Sequence, residues 1–322
     1  MQFTDIERSF MNDVDRYKPG FKKLVHHLDH LKKIQNREVV GPIHLSVFPT
    51  NRCQLKCAYC GFRNTKRNSD ELSLEDYKIA IDTLQKYGLK ATENSGGGDP
   101  LLWKHFSEST EYSHKKGLNL SLVTNGLGLA DIPKDVLKLY DWIRVSIQST
   151  EYAENIAFDY IPNNVEKTMS FIVHDENDIK ELDRLYSFAK KKNIIIRVAP
   201  ERPCSEEWAN KVLSRVWELG NPLIGFEKNG NKPVGCYMAY IRAALDWNGY
   251  FIPCPSIEIT PESTGIIPDS FKLCHATQIE EWLQNNRPHD LGYQCSFCNC
   301  GHDTNGLIYT LLEEIKDVNF VQ

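Results

Sequence analysis

Between residues 43 and 200, short apolar runs alternate with longer stretches in which apolar side chains return every third or fourth position. The runs at 43–48, 90–96, 118–126, 142–149, 168–173 and 194–200 have the length and β-rich composition of strands. The stretches at 73–88, 101–116, 133–140 and 176–192 carry the helical period, and the first is bounded by a capping Ser73 and a terminating Gly88. Only 150–166 is irregular. Such alternation implies a parallel sheet covered by helices, either an open doubly wound sheet or a full or partial barrel. Ahead of it, Phe21, Leu24, Val25, Leu28 and Leu31 mark one or two helices packed on the outside. Beyond 203 the alternation stops. A helix over 205–219 is followed by a turn-rich stretch, a hairpin turning at Asn248-Gly249, a helix at 278–285 and another near 307–315.

Composition narrows the class. With 41% hydrophobic and 25% charged residues, 19 Gly and 15 Pro, the chain is not disordered, collagen-like or coiled-coil. A net charge of -5 gives no electrostatic reason to bind nucleic acid. No run approaches the roughly 20 apolar residues of a membrane-spanning helix, and the first residues are charged where a signal peptide is apolar, so a cytoplasmic protein without a membrane partner is expected. In a reducing compartment, 10 cysteines point to metal before disulfides. Cys53, Cys57 and Cys60 form one cluster, and Cys204, Cys236, Cys254, Cys274, Cys295, Cys298 and Cys300 all lie in the last third. Two cysteine-dependent sites follow. The His26 and His30 pair has metal-compatible spacing on one helix but no acidic partner, and reads as a solvated face.

Cys53-x3-Cys57-x2-Cys60 lies just past the first strand, at the end where α/β barrels carry their active sites. Three soft thiolates suit an iron–sulfur cluster, and three ligands for four irons leave one iron open to a small molecule. Spacing alone leaves a zinc site with a distant fourth ligand, or plain thiols, as alternatives. The segment Cys53-Gln54-Leu55-Lys56-Cys57-Ala58-Tyr59-Cys60 resembles the C-x3-C-x-aromatic-C signature of the radical S-adenosylmethionine (radical SAM) superfamily. Gly97-Gly98-Asp99-Pro100 is similar to that family's Gly-Gly-Glu-Pro segment, with Asp for Glu, and Thr124-Asn125-Gly126 to its Thr-Asn-Gly segment. Ser146 and Arg197 fall where the family often contacts the SAM carboxylate and ribose. Where the family frequently reads Ser-x-Asp, this chain has Ser146-Ile147-Gln148.

The resemblance implies an α/β fold, a partial (β/α)6 TIM-like barrel. It implies that Cys53, Cys57 and Cys60 hold a [4Fe-4S] cluster, and that Tyr59, Gly97, Gly98, Asp99, Asn125, Ser146 and Arg197 bind S-adenosylmethionine. The implied chemistry is reductive cleavage of SAM to methionine and a 5′-deoxyadenosyl radical, with an electron donor such as flavodoxin or ferredoxin as partner.

The second cysteine region reads Cys236-x12-Gly249-x4-Cys254, then Cys295-x2-Cys298 and Cys300. It resembles the SPASM/twitch subgroup. Its tail does not follow the longer seven-cysteine pattern, and the shorter twitch pattern implies a small cysteine-rich β-hairpin/α domain. Cys236, Cys254, Cys295 and Cys298 would hold a second, auxiliary [4Fe-4S] cluster, with Cys300 as alternative to Cys298 and His302 as an outside candidate. A structural zinc at the same thiolates is the other reading. Cys204 and Cys274 are read as spare or substrate-facing thiols. The implied organisation is a helical segment over 1–42, a radical SAM core over 43–202 and a twitch-like domain over 203–322.

Three functions are set against one another. The first is oxidation, epimerisation or rearrangement of a small or medium-sized metabolite. The second is peptide modification, lowered because the 42 residues before Ile43 are too few for a winged-helix recognition domain. The third is a non-catalytic metal-binding scaffold, against which the intact cysteine triplet and glycine segment argue. Glu93 and Arg202, with Glu201, lie at predicted strand ends and are candidates to touch substrate.

Overall fold

Strand and helix alternate in space as they do in the chain. The computed structural model describes residues 20–65, 67–68, 70–201, 204–225, 235–256, 267–292, 295 and 301–312. Its strands are β1 (His44–Val47), β2 (Ala91–Asn94), β3 (Asn119–Thr124), β4 (Trp142–Ile147), β5 (Glu166–Val173), β6 (Ile195–Pro200), β7 (Leu223–Gly225), β8 (Arg242–Leu245), β9 (Tyr250–Ile252) and β10 (Cys274–His275). They form one sheet in the order β10-β9-β8-β1-β2-β3-β4-β5-β6-β7. All neighbours from β8 through β7 are parallel, whereas β9 and β10 are antiparallel additions at one edge.

The side-chain alternation of the strands explains why this sheet is covered on one face only by an apolar layer. Leu45, Val47, Leu122, Ile143, Val145, Met169, Phe171, Ile196 and Val198 are buried against the helices. The register places Ser46, Glu93 and Ser121 together on the opposite face, and likewise Arg144 with Thr168, and Ser146 with Ser170 and Arg197. One face is therefore a hydrocarbon core, each fully buried aliphatic side chain contributing about 1.5–3 kcal/mol. The other is polar and faces the barrel interior.

The helices form where caps and periodicity agree. Ser73 accepts the Asp76 amide at 3.0 Å and starts Leu74–Lys86, which buries Tyr77, Ala80, Ile81 and Leu84. Asp175 and Asp178 make a capping box on Glu176–Lys192, and Asn193 ends that helix in the left-handed region. The helix expected over 101–116 is broken. Asp99 caps a short 3-10 turn at Pro100–Leu102, and the helix proper is Phe106–Lys115. The break lets Trp103 sink into the core, its Nε1 donating to the Leu72 carbonyl at 2.9 Å. The helix expected over 133–140 is only Lys134–Leu137, and the irregular 150–166 holds a short helix at Thr150–Glu154. The last helix begins at His302, earlier than its apolar residues indicate.

Two further differences concern the chain ends. His26 is exposed as expected, but His30 is only partly so: its Nε2 lies 2.8 Å from the Tyr240 carbonyl, and Leu24, Leu31 and Ile34 pack with Tyr240, Ile241 and Ile308. The hairpin at Asn248-Gly249 is present as β8 and β9, but β8 also pairs along β1, His44 opposite Arg242. The sheet thus continues past residue 202. Among the described residues no helix is long and apolar enough to cross a membrane.

That hairpin holds a pH-sensitive group. Asp246 is 1% exposed, and its Oδ1 accepts the Asn248 and Tyr250 amides at 2.9 and 2.8 Å. Burial pushes its carboxyl up to about 6, against these hydrogen bonds and the nearby Lys272 and His275. A carboxyl raised in the folded state binds its proton more tightly there than in the unfolded chain, so stability falls as pH rises from about 4 to about 6. We expect the thermal midpoint of wild type to decline across this window by the equivalent of up to about 3 kcal/mol. Asp246→Asn, which keeps the acceptor, is expected to flatten that part of a differential scanning fluorimetry pH profile.

Candidate active site

The loop after β1 and the glycine segment after β2 lie directly against each other. Thr50 bridges Gly97 in parallel, the Gly98 amide donates to the Thr50 carbonyl at 2.6 Å, and the Asp99 amide to the Arg52 carbonyl at 2.7 Å. This closeness is what the glycines are for. A Cβ on Gly98 would overlap the Arg52 carbonyl, and one on Gly97, at φ +76°, would lie 2.6 Å from the Thr50 oxygen and 2.8 Å from the Trp247 ring.

Asp99 then ties this pair to the third segment. Its carboxylate is buried and accepts the Thr124 hydroxyl at 2.8 Å, the Asn125 amide at 2.6 Å and the Leu101 amide at 3.0 Å. Burial raises its carboxyl above the ordinary range despite these three donors. The Asp expected to face a ligand is thus held by the chain's own donors.

Each cysteine sulfur of the loop meets donors. Cys53 Sγ accepts the Leu55 amide at 3.5 Å and lies 3.8 Å from Asn125 Nδ2; Cys57 Sγ lies 3.2 Å from Gln148 Nε2. Cys60 Sγ accepts the Phe62 amide at 3.4 Å and lies 3.8 Å from Arg67 Nη2. The Cys57 thiol is pushed up by burial first and then by Cys60 and Cys53, so the three sulfurs share one electrostatic environment. Tyr59 reaches the Ile147 carbonyl with its hydroxyl at 3.5 Å, and burial raises its phenol. Among the described residues no three His, Cys, Asp or Glu side chains converge as ligands of a single metal ion. A cubane takes each thiolate on a different iron, so its ligands stand farther apart than those of a mononuclear zinc site. Three soft sulfurs on one loop, each beside an N–H donor, are the donor chemistry that suits such a cluster.

Beneath this rim, the inner face of the sheet is charged. Glu93 is buried, paired with Arg242 Nη2 at 2.9 Å and close to Ser46, which Arg242 also reaches. Burial raises the Glu93 carboxyl, but Arg242 first, with Arg144 and Arg197, brings it below the ordinary carboxylate range. His44 is pushed down to about 4 by burial and by Arg242, so it is neutral near pH 7. Ser146 is hydrogen-bonded to Ser170 at 3.3 Å, and Arg197 stands opposite Ser170 on β6.

In the C-terminal region, the Cys236 amide donates to Asp290 Oδ1 at 2.9 Å, and Asp290 also accepts the Tyr309 hydroxyl. Cys254 Sγ accepts the Ser256 amide at 3.4 Å. Cys204 and Cys274 are free thiols, and burial pushes the Cys274 thiol up to about 12. Cys298, Cys300 and Arg202 lie outside the described residues. The residues that sequence reasoning missed are Arg67, Arg242 and Trp247. No motif marks them: Arg242 and Trp247 meet partners distant in the chain, and Arg67 gathers Cys60, Phe62, Asn51 and Gly97 around one guanidinium.

The sheet is parallel α/β, and a thiol-rich loop and a glycine segment meet at the C-terminal ends of its first strands, the end at which α/β barrels carry their sites. Residues 47–185 match the family model described as the Radical SAM superfamily. An S-adenosylmethionine-dependent nucleotide dehydratase from Selenomonas ruminantium is 28% identical over 152 residues, 46% of this chain and 52% of the relative. The chain therefore spans about half the length of that curated relative. A probable GTP 3′,8-cyclase from Methanocaldococcus jannaschii is 27% identical over 247 residues, 67% of this chain and 81% of the relative. Streptococcus suis SuiB, in its complex with the precursor peptide SuiA, superposes with a TM-score of 0.53 at 14% identity, covering 76% of this chain and 67% of that one, and so shares the fold. These findings support the radical SAM superfamily over residues 47–185, and the relatives named here are enzymes.

Proposed function

We propose that this enzyme uses S-adenosylmethionine and a [4Fe-4S] cluster held by Cys53, Cys57 and Cys60 to abstract hydrogen from a small polar metabolite. When bound, the cluster and SAM supply one-electron cleavage of a carbon–sulfur bond and a 5′-deoxyadenosyl radical. The observation that carries this reading is the contact of the cysteine loop with the Gly97-Gly98 segment, each sulfur beside an N–H donor. In this reading the protein's own groups orient and enclose. The Gly97-Gly98 segment would receive the amino end of SAM, with Asn125 and Tyr59 beside it and Ser146 and Arg197 toward its carboxylate and ribose. Asp99 fixes the Thr124-Asn125 turn against the glycine segment.

Glu93 and Arg242 belong to the floor of the chamber. The polar inner face, with Arg144, Arg197 and Arg242 on β4, β6 and β8, favours a substrate with hydroxyl and acidic groups over an apolar one. Two of the relatives named above are a nucleotide dehydratase and a GTP cyclase, which supports the same class. A peptide substrate is the second reading, favoured by the SuiB complex with its precursor peptide. The auxiliary cluster at Cys236, Cys254, Cys295 and either Cys298 or Cys300, within a twitch-like domain over 203–322, is part of the proposal.

Anaerobic reconstitution with iron and sulfide, followed by SAM and a reductant, tests it. Formation of 5′-deoxyadenosine measured by mass spectrometry is the expected result, and its absence with full iron occupancy overturns the reading. For the auxiliary site, Cys295→Ala is expected to lower bound iron from about eight to about four per chain while the remaining cluster still responds to SAM. Unchanged iron content would remove the second cluster from the proposal.

A further inference from the structure

The three loop sulfurs are served by side-chain donors from three different parts of the chain. Asn125 comes from the turn after β3, Gln148 from the end of β4, and Arg67 from the segment that follows the cysteine loop. Arg67 is fixed in turn by the carbonyls of Asn51, Phe62 and Gly97. Gln148 has the shortest approach, 3.2 Å to Cys57 Sγ. Its strand end is tied to the same loop, because Tyr59 donates to the carbonyl of the preceding residue, Ile147.

We infer that Gln148 is a positioning residue that sets the reduction potential of the cluster through an N–H···S hydrogen bond to Cys57, with Asn125 and Arg67 acting in the same direction on Cys53 and Cys60. The inference rests on the cluster assignment proposed above. An N–H donor draws electron density from a thiolate and stabilises the more negative, reduced cluster, so each such bond raises the potential. The Ser-x-Asp pattern that Ser146-Ile147-Gln148 resembles has Asp at this position. A carboxylate one methylene shorter could neither donate to Cys57 nor reach it equally well, and its charge would oppose reduction. An amide in its place gives a donor whose strength does not change with pH.

The test compares wild type with Gln148→Glu, which keeps shape but removes the donor, and Gln148→Leu, which removes both polar atoms. All three are reconstituted anaerobically, assayed for iron, and titrated electrochemically while the EPR signal that responds to SAM is followed. The expected result is full iron content with a more negative potential in both variants. A tenfold fall in the ratio of reduced to oxidised cluster at fixed poise corresponds to 59 mV for one electron. Potentials equal to wild type in both variants at full iron content overturn the inference. Loss of iron from both, with wild type fully loaded, also overturns it, because Gln148 would then be a requirement for assembly. Failure of wild type itself to take up a SAM-responsive cluster defeats the cluster assignment instead, so the two failures are separable.

Discussion

Cys57→Ala is expected to abolish 5′-deoxyadenosine formation while leaving the fold in place. Removal of outer hydrogen-bonding partners alone costs metal sites about 10–100-fold in affinity or activity, so loss of a ligand thiolate should exceed about 100-fold. The side chain is half-buried and contributes little to either apolar cluster near it, so the thermal midpoint of the apoprotein should barely move. The measurements are iron content, the SAM-responsive EPR signal and product yield, all three falling together. Retention of the signal by Cys57→Ala would mean that another thiol holds the cluster.

Gly98→Ala is expected to do more damage than its single methyl implies. The added carbon would occupy the place of the Arg52 carbonyl, a backbone atom that cannot rotate away. Overpacking of this kind typically costs about 1–3 kcal/mol. At about 2–4 °C per kcal/mol for a chain of this order, the midpoint should fall by up to about 12 °C. The displaced Arg52 precedes Cys53, so cluster uptake should fail as well. Gly306 provides the control: among the described residues nothing lies within 4 Å of its Cβ position, and it sits inside the helix His302–Leu312. There the same methyl should stabilise by up to about 1 kcal/mol through helix propensity. Equal behaviour of the two variants in scanning calorimetry would contradict the contact described here.

The six strands and the long helices were legible because period and caps agree locally. Ser73 and Asp175, for example, stand where a capping side chain should, ahead of apolar residues at helical spacing. The cysteine triplet and glycine segment were legible for another reason: their contact lies within a single strand–helix–strand unit, so spacing along the chain carries it. What escaped were pairings between distant partners. Nothing in RAAL announces that Arg242–Leu245 will lie along His44–Val47, since parallel neighbours share no turn. Arg242 and Glu93 were separated for the same reason, and Glu93 alone resembled a substrate contact. Asp99 follows the glycines directly in the chain, but its engagement by Thr124 and Asn125 depends on β3 ending beside β2, which only the register fixes.

The pairing of β8 with β1 also governs when the enzyme can become whole. Ser46 and Arg242 stand 196 residues apart in the chain, so during synthesis β1 waits with one bare edge while nearly the entire sheet is made. Contacts this distant slow folding, and an unpaired strand edge invites association with other chains. The strand left waiting is the one that delivers Cys53. On the cluster assignment proposed above, insertion of the cluster and closure of the sheet would fall in the same interval, so the order of iron delivery and chain release would bear on the yield of active enzyme.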